Sequence, residues 1–220
     1  MSINPPKVNL KGFENEQTFK DKKETKDYSA LLGKDSWSRL HPDIQKRFGE
    51  NVHESVTYHG EMKEIYASFA GKVLAQVCRL IGTPLAIDTG TNIPIMVKVY
   101  PNHKLAGMTW NRFYAFPNKA VNRVKSTKCI RANDGLVEMV GCGFGMSLEV
   151  YEENSALHFV SRDFFWQFGK TKFRIPDFLS PGKTVVSQKA LSDGRFEFSL
   201  DVTHSLLGKV FRQVGVFEQI

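Results

Sequence analysis

Between Ile93 and Phe217 several segments carry apolar residues at every second position, and this pattern restricts the fold more than any other feature of the chain. A period of two puts alternate side chains on opposite faces of a strand, so that one face is buried and the other wet. Ile95, Val97 and Val99 alternate with Met96, Lys98 and Tyr100. Thr109–Phe116 sets Trp110, Arg112, Tyr114 and Phe116 on one side, and Phe196, Phe198, Leu200 and Val202 alternate with Arg195, Glu197, Ser199 and Asp201. Arg123–Arg131 reads as a more polar strand at an edge, Leu136–Tyr151 as one long strand, and Val210–Phe217 as the last. Asn133-Asp134-Gly135, Glu152–Ser155 and Ser192-Asp193-Gly194 are turn sequences. Short turns make neighbours antiparallel, so the pattern predicts a meander of about seven or eight strands. A sheet that wide curls, splits or closes. Gly141, Gly143 and Gly145 share one face of Leu136–Tyr151, a smooth stripe that permits a bend or a close approach.

Before Ile93 the period changes. Met62, Ile65, Tyr66, Phe69, Val73, Val77 and Leu80 fall at helical spacing, which predicts one long helix over Glu61–Ile81, stopped by Gly82-Thr83-Pro84. Upstream, Tyr28–Gly33 reads as a helical turn, and Asp35-Ser36 caps another that holds Trp37 and Leu40. Pro42 suits the first position of a third, Asp43 its positive end and Gly49 its stop. These pieces are expected to close one end of the core. Residues 1–27 are polar and mixed in charge and read as a disordered or loosely attached tail. The predicted fold class is α+β. It is a strongly curved antiparallel sheet, half-barrel or barrel-like, packed with one long helix and short N-terminal helices in a single domain over residues 28–220.

The formal net charge of +7 permits an anionic partner without requiring one, and the basic residues form no run of five or more like charges. Aromatics alternate with apolar residues more than with basic ones, so no nucleic-acid partner is expected. The three cysteines, Cys78, Cys129 and Cys142, form no C-x-x-C pair and read as reduced thiols. The N-terminus has no apolar leader and no run is long enough to cross a membrane, so a cytoplasmic protein is expected.

Leu157–Gly182 holds six of the 17 Phe (Phe159, Phe164, Phe165, Phe168, Phe173, Phe178) and Trp166. That much aromatic surface marks the centre of a core or the wall of a cavity. Leu157–Phe168 carries apolar residues on both parities and is expected to be buried on both faces, Gly169-Lys170 turns the chain, and Ile175-Pro176 ends the returning strand. Lys170, Lys172 and Arg174 then lie on a solvated edge, with phosphate or membrane-surface binding as the sharper alternative. Arg112 and Glu138 each share a strand face with apolar residues, and a charge there needs a partner or water. They are read either as a structural pair with each other or as polar anchors in a ligand cavity. The candidate ligand-binding residues are Trp110, Arg112, Tyr114, Glu138, His158, Trp166 and His204. None of the six His has zinc-type spacing, there is no G-x-S-x-G elbow, and G-C-G-F-G opens no helix. No metal, no cofactor and no catalytic residue is assigned.

Several motifs together resemble the bacterial family called domain of unknown function 4166. They are Leu40-His41-Pro42, Tyr58-x-Gly60, Trp110-x-Arg112-Phe113, Glu138 with Gly141, Leu157, Ile175-Pro176, Leu179-Ser180-Pro181, Phe196-x-Phe198 and His204-Ser205-Leu206-Leu207-Gly208. The resemblance covers roughly residues 28–217. The family pattern near the end reads more like His-Pro-Leu-x-Gly, and of its later Tyr-x-Gly this chain keeps only Gly215. The resemblance brings no established activity. Some relatives look like C-terminal modules on oxidoreductases resembling saccharopine dehydrogenase, or on membrane proteins, which implies an accessory or binding module. The leading expectation is a non-enzymatic module with an apolar pocket for a lipid-like or hydrophobic small molecule. The alternatives are an enzyme drawing acid and base groups from Arg112, Glu138, His158 and His204, and an accessory protein-interaction module.

Overall fold

The structure, a computed structural model, describes residues 27–49, 54–80, 88–132 and 134–220. Among the described residues three short helices come first: α1 (Tyr28–Leu32), α2 (Lys34–Arg39) and α3 (Pro42–Phe48). Then follow β1 (Val56–Ala67), α4 (Phe69–Leu80), β2 (Ile93–Asn102), β3 (Gly107–Tyr114), β4 (Asn122–Arg131), β5 (Gly135–Gly141) and β6 (Phe144–Glu153). The chain continues through β7 (Ala156–Phe168), β8 (Thr171–Ile175), a 3-10 turn at Asp177–Leu179, β9 (Lys183–Ala190), β10 (Phe196–His204) and β11 (Gly208–Gln219).

All strand pairs are antiparallel, and the order runs β6-β5-β4-β3-β2-β1-β11-β10-β9-β7, with β6 also pairing β7. That last pairing closes ten strands into a barrel, and β8 is an extra strand hairpinned onto the upper part of β7. The curved antiparallel sheet expected from the sequence is therefore present. Among the described residues it has eleven strands rather than seven or eight, and of the two expected shapes, half-barrel or barrel-like, it takes the barrel, with ten strands in a closed ring. Closure removes the free edges that a sheet of this width otherwise exposes.

Two of the misjudged elements have local causes. The expected helix at Glu61–Ile81 is two elements: its first part belongs to β1, and α4 spans about 18 Å at 1.5 Å per residue. Tyr58 and Met62 face inward, a register shift falls between Met62 and Glu64, and Ile65 and Ala67 then face inward instead. That bulge switches parity and so produced a helix-like three-residue step inside a strand. The expected stop at Gly82-Thr83-Pro84, like the tail at residues 1–26, lies outside the described residues. The single strand expected over Leu136–Tyr151 is the hairpin β5–β6. Its turn, Gly141-Cys142-Gly143, has positive φ throughout, which glycine adopts without strain. Gly145 is a true packing glycine, because a Cβ there would lie 2.7 Å from the Phe165 ring.

The two ends of the barrel differ. At one end the N-terminal helices form a plug, as expected. Tyr28, Leu40, Ile44 and Phe48 pack with Leu136, Leu148, Leu157 and Phe159, and the Phe48 and Phe159 ring centroids are 5.7 Å apart. Each such side chain contributes about 1.5–3 kcal/mol by leaving water. At the other end α4 lies over β1 and β11, where Gly71 touches the Val210 carbonyl so closely that a Cβ would clash at 2.0 Å.

β7 is buried on both faces along part of its length. Leu157 and Phe159 face the plug and the interior. A register shift opposite Ser147/Leu148 then leaves Phe164 inward and Phe165 outward, and Phe165 is covered with Cys129 and Val137 in a small cluster rather than by a long helix. Burial pushes the Cys129 thiol up, partly offset by Arg131, whereas Cys142 is exposed on its turn. Iodoacetamide should therefore modify native Cys142 more than about tenfold faster than Cys129, read by peptide mapping.

Candidate functional site

Strand alternation puts one side chain in two from every barrel strand into a common interior. Val97 and Val99 of β2, Met108, Trp110, Arg112 and Tyr114 of β3, and Phe198, Leu200 and Val202 of β10 all point there. They surround a cavity of about 290 Å³, at the lower bound of typical small-molecule sites.

Set into this apolar wall is a buried polar cluster on three neighbouring strands. Lys128 of β4 stands directly opposite Glu138 of β5 in the register, and its Nζ is 3.1 Å from Glu138 Oε2. Both side chains are buried, at 7% and 6% exposure. The ammonium also lies 4.6 Å from the centre of the Trp110 ring, which favours a cation by its π-face. Arg112 Nη1 of β3 donates to Ser126 Oγ at 3.1 Å, and the Ser126 hydroxyl in turn hydrogen-bonds Glu138. Burial alone pushes the Glu138 carboxyl up, but Lys128 and then Arg112 outweigh it and hold the group below its ordinary value. Burial lowers Lys128; Glu138 opposes this and Arg112 adds to it. Glu138 is the one carboxylate among the described residues lining the cavity, against Arg112, Lys125, Lys128 and, at the plug, Arg47. Arg47 is stacked 3.6 Å from the Phe196 ring centre and donates to Gln188 at 3.3 Å.

Of the residues picked from the sequence, Trp110, Arg112, Tyr114 and Glu138 share the cavity. Tyr114 donates to Gln213 Oε1 at 3.0 Å, and burial pushes its phenol up. The proposed Arg112–Glu138 pair is replaced by Lys128–Glu138, with Arg112 joined through Ser126. His158 is on the opposite face of β7 from Phe159 and stacks on Tyr151 at 4.8 Å. Trp166 lies beyond the cavity, its Nε1 donating to the Cys142 carbonyl at 3.1 Å. His204 accepts from the Leu206 N–H at 3.1 Å and bonds the Phe178 carbonyl at 3.4 Å, so it ties two loops together at the rim. The four acid and base candidates thus do not meet in one cleft.

Lys128 was missed because a lysine in a polar strand reads as solvent-facing. The available signal was the turn. The hairpin centred on Asn133 sets residues equally far before and after it opposite each other, and Lys128 and Glu138 are five residues either side.

The cavity opens at the α4 end. Val77 of α4 and Leu179 of the 3-10 turn both line it while remaining 50% and 65% exposed. The wall is also interrupted there, since β7 pairs β9 only over Leu157–Val160 and turns to β8 from Phe164 on.

No curated protein matches this chain. The family described as Domain of unknown function (DUF4166) matches residues 40–217, from the end of α2 through β11. That span takes in every barrel strand and all the cluster residues, and the chain belongs to the DUF4166 family.

Proposed function

We propose that the barrel binds a lipid-like small molecule with an anionic head, its apolar part among the aliphatic and aromatic walls and its head beside Arg112 and Ser126. The observation that carries this reading is the charge count of the buried cluster: one carboxylate faces more than one cation inside a mostly apolar cavity. A monoanionic head there completes the pairing, and buried charges are stable only when paired. Arg112 is the natural contact, because its fork can take a second planar acceptor beside Ser126.

Displacement of bound anilinonaphthalene sulfonate tests the reading. Decanoate should compete at least about tenfold better than decanol, and Arg112→Met should abolish that preference while leaving decanol unchanged. Equal competition by acid and alcohol in the wild type would remove the anionic head from the reading. Native mass spectrometry that finds no small molecule retained, together with no displacement by either probe, would remove the ligand altogether.

A further inference from the structure

At the cavity mouth the chain exposes apolar side chains from four separate segments. Phe69 and Val73 of α4 are 85% and 50% exposed, and Phe178 sits beside the pocket-lining Leu179 on the 3-10 turn. Leu206 and Leu207, 77% and 58% exposed, form the β10–β11 turn. The fourth segment is the β7–β8 hairpin. Its inward face continues past the cavity-lining Phe164 and Ile175 as Trp166, Phe168 and Phe173, with the Trp166 ring 5.7 Å from Phe168 and stacked 5.9 Å from Phe173, centroid to centroid. The register puts all four at one barrel end: Ala67, which leads into α4, pairs Phe211, and Phe211 pairs Val202 just before the β10–β11 turn. Scattered exposed apolar residues are ordinary on a soluble protein, but a ring of them around a cavity mouth is not.

The geometry points to docking of this rim on an anionic lipid surface, so that the cavity mouth faces the acyl boundary from which a lipid-like molecule enters. Two observations choose lipid as the occupant. First, the apolar rim is continuous with the wall of an apolar cavity, since Val77 and Leu179 belong to both. Second, exposed lysines stand next to the apolar side chains in sequence or across a turn. Lys72 adjoins Val73, Lys170 lies between Phe168 and Phe173, and Lys183 and Lys209 flank the two loops that His204 joins. Apolar tips that enter the headgroup region and lysines that meet acidic headgroups are the two parts of interfacial binding. The chain's formal charge of +7 has the matching sign.

The inference rests on the lipid-like reading of the cavity, but its deciding readout is vesicle binding, with cavity binding measured separately. The full chain is sedimented with phosphatidylcholine vesicles, with and without phosphatidylglycerol. Binding should be at least tenfold stronger with phosphatidylglycerol and should weaken as salt is raised. Phe178→Ser combined with Leu206→Ser should reduce it at least tenfold, and so should Lys72→Glu combined with Lys170→Glu. All four side chains are exposed, so each double variant should keep the wild-type melting temperature and the wild-type displacement of anilinonaphthalene sulfonate. Vesicle binding with no decanoate binding would keep the docking surface while the cavity reading fails. No vesicle binding, or binding indifferent to both double variants, overturns the inference. So does a wild-type dimer that Phe178→Ser with Leu206→Ser turns into a monomer, since the rim is then a contact between two copies of this chain.

Discussion

Replacing Glu138 by Leu is expected to destabilise the protein by about 3–5 kcal/mol, because it leaves the buried Lys128 ammonium without its carboxylate. For a chain of this size that is a fall in melting temperature of about 10 °C or more. Lys128→Met should cost less, since Glu138 then keeps the Ser126 hydroxyl and the nearby Arg112 charge. The double variant Lys128→Met, Glu138→Leu should lie near the wild type or above it, because apolar residues of similar volume replace a pair that had to be desolvated. The pH dependence separates the two single variants by sign. Glu138 titrates below its ordinary 4.5 in the folded state, so its contribution is complete above that value and is lost as pH falls through the folded one. The wild type should therefore lose stability relative to the double variant below about pH 4.5. Lys128 titrates below its ordinary 10.5, so folding must discharge it or bury the charge. With Glu138 removed, that cost is greatest at low pH and shrinks as pH rises towards 10.5, so the Glu138→Leu deficit should narrow in alkaline buffer. Thermal melts across pH check both; equal losses from the two single variants at every pH would show that the pair does not act as one buried unit.

The same residues show how far the sequence could be read. Alternation in β2, β3 and β10 was legible because one face is apolar and the other polar along each strand, and it placed Trp110, Arg112 and Tyr114 on the cavity side. β9 escaped notice because its inward residues, Thr184, Val186 and Gln188, are no more apolar than Val185, Ser187 and Lys189 on its other side. Two of its polar groups are satisfied by long-range partners: Arg47 reaches the Gln188 side chain, and Ser161 accepts from the Thr184 backbone N–H at 2.8 Å. Contacts between residues more than twenty positions apart leave no periodic trace. β1 failed for a different reason, a bulge that changes parity in mid-strand, and bulges are set by the partner strand as much as by the strand itself. Closure of the ring was the least legible step. It depends on β6 and β7 forming a full-length hairpin while β7 also meets β9, a choice made by the whole barrel.

β7 offers the sharpest test of which aromatics hold the fold and which shape the cavity. Phe159→Ala is expected to cost about 3–5 kcal/mol, seen as a lower urea midpoint at unchanged slope. Phe159 is 1% exposed and is shared by both layers: it lines the cavity and also packs against Tyr28 and Phe48 of the plug, at 6.0 and 5.7 Å between ring centroids. Its loss leaves a void that cannot fill from either side, because the plug is held by helix packing and the wall by ladder hydrogen bonds. Phe164→Ala, five residues along the same strand, is expected to cost only about 1 kcal/mol. Phe164 is half-buried near the mouth, and truncating it widens a cavity already open to solvent. The two variants should also differ in where protection is lost. In Phe159→Ala, amide exchange should accelerate over α1–α3, because the plug loses its anchor on the barrel. In Phe164→Ala those helices should exchange as in the wild type, while ligand preference shifts towards bulkier apolar groups. Equal costs for the two substitutions, or unchanged exchange over residues 28–48 in Phe159→Ala, would show that the plug is seated without β7.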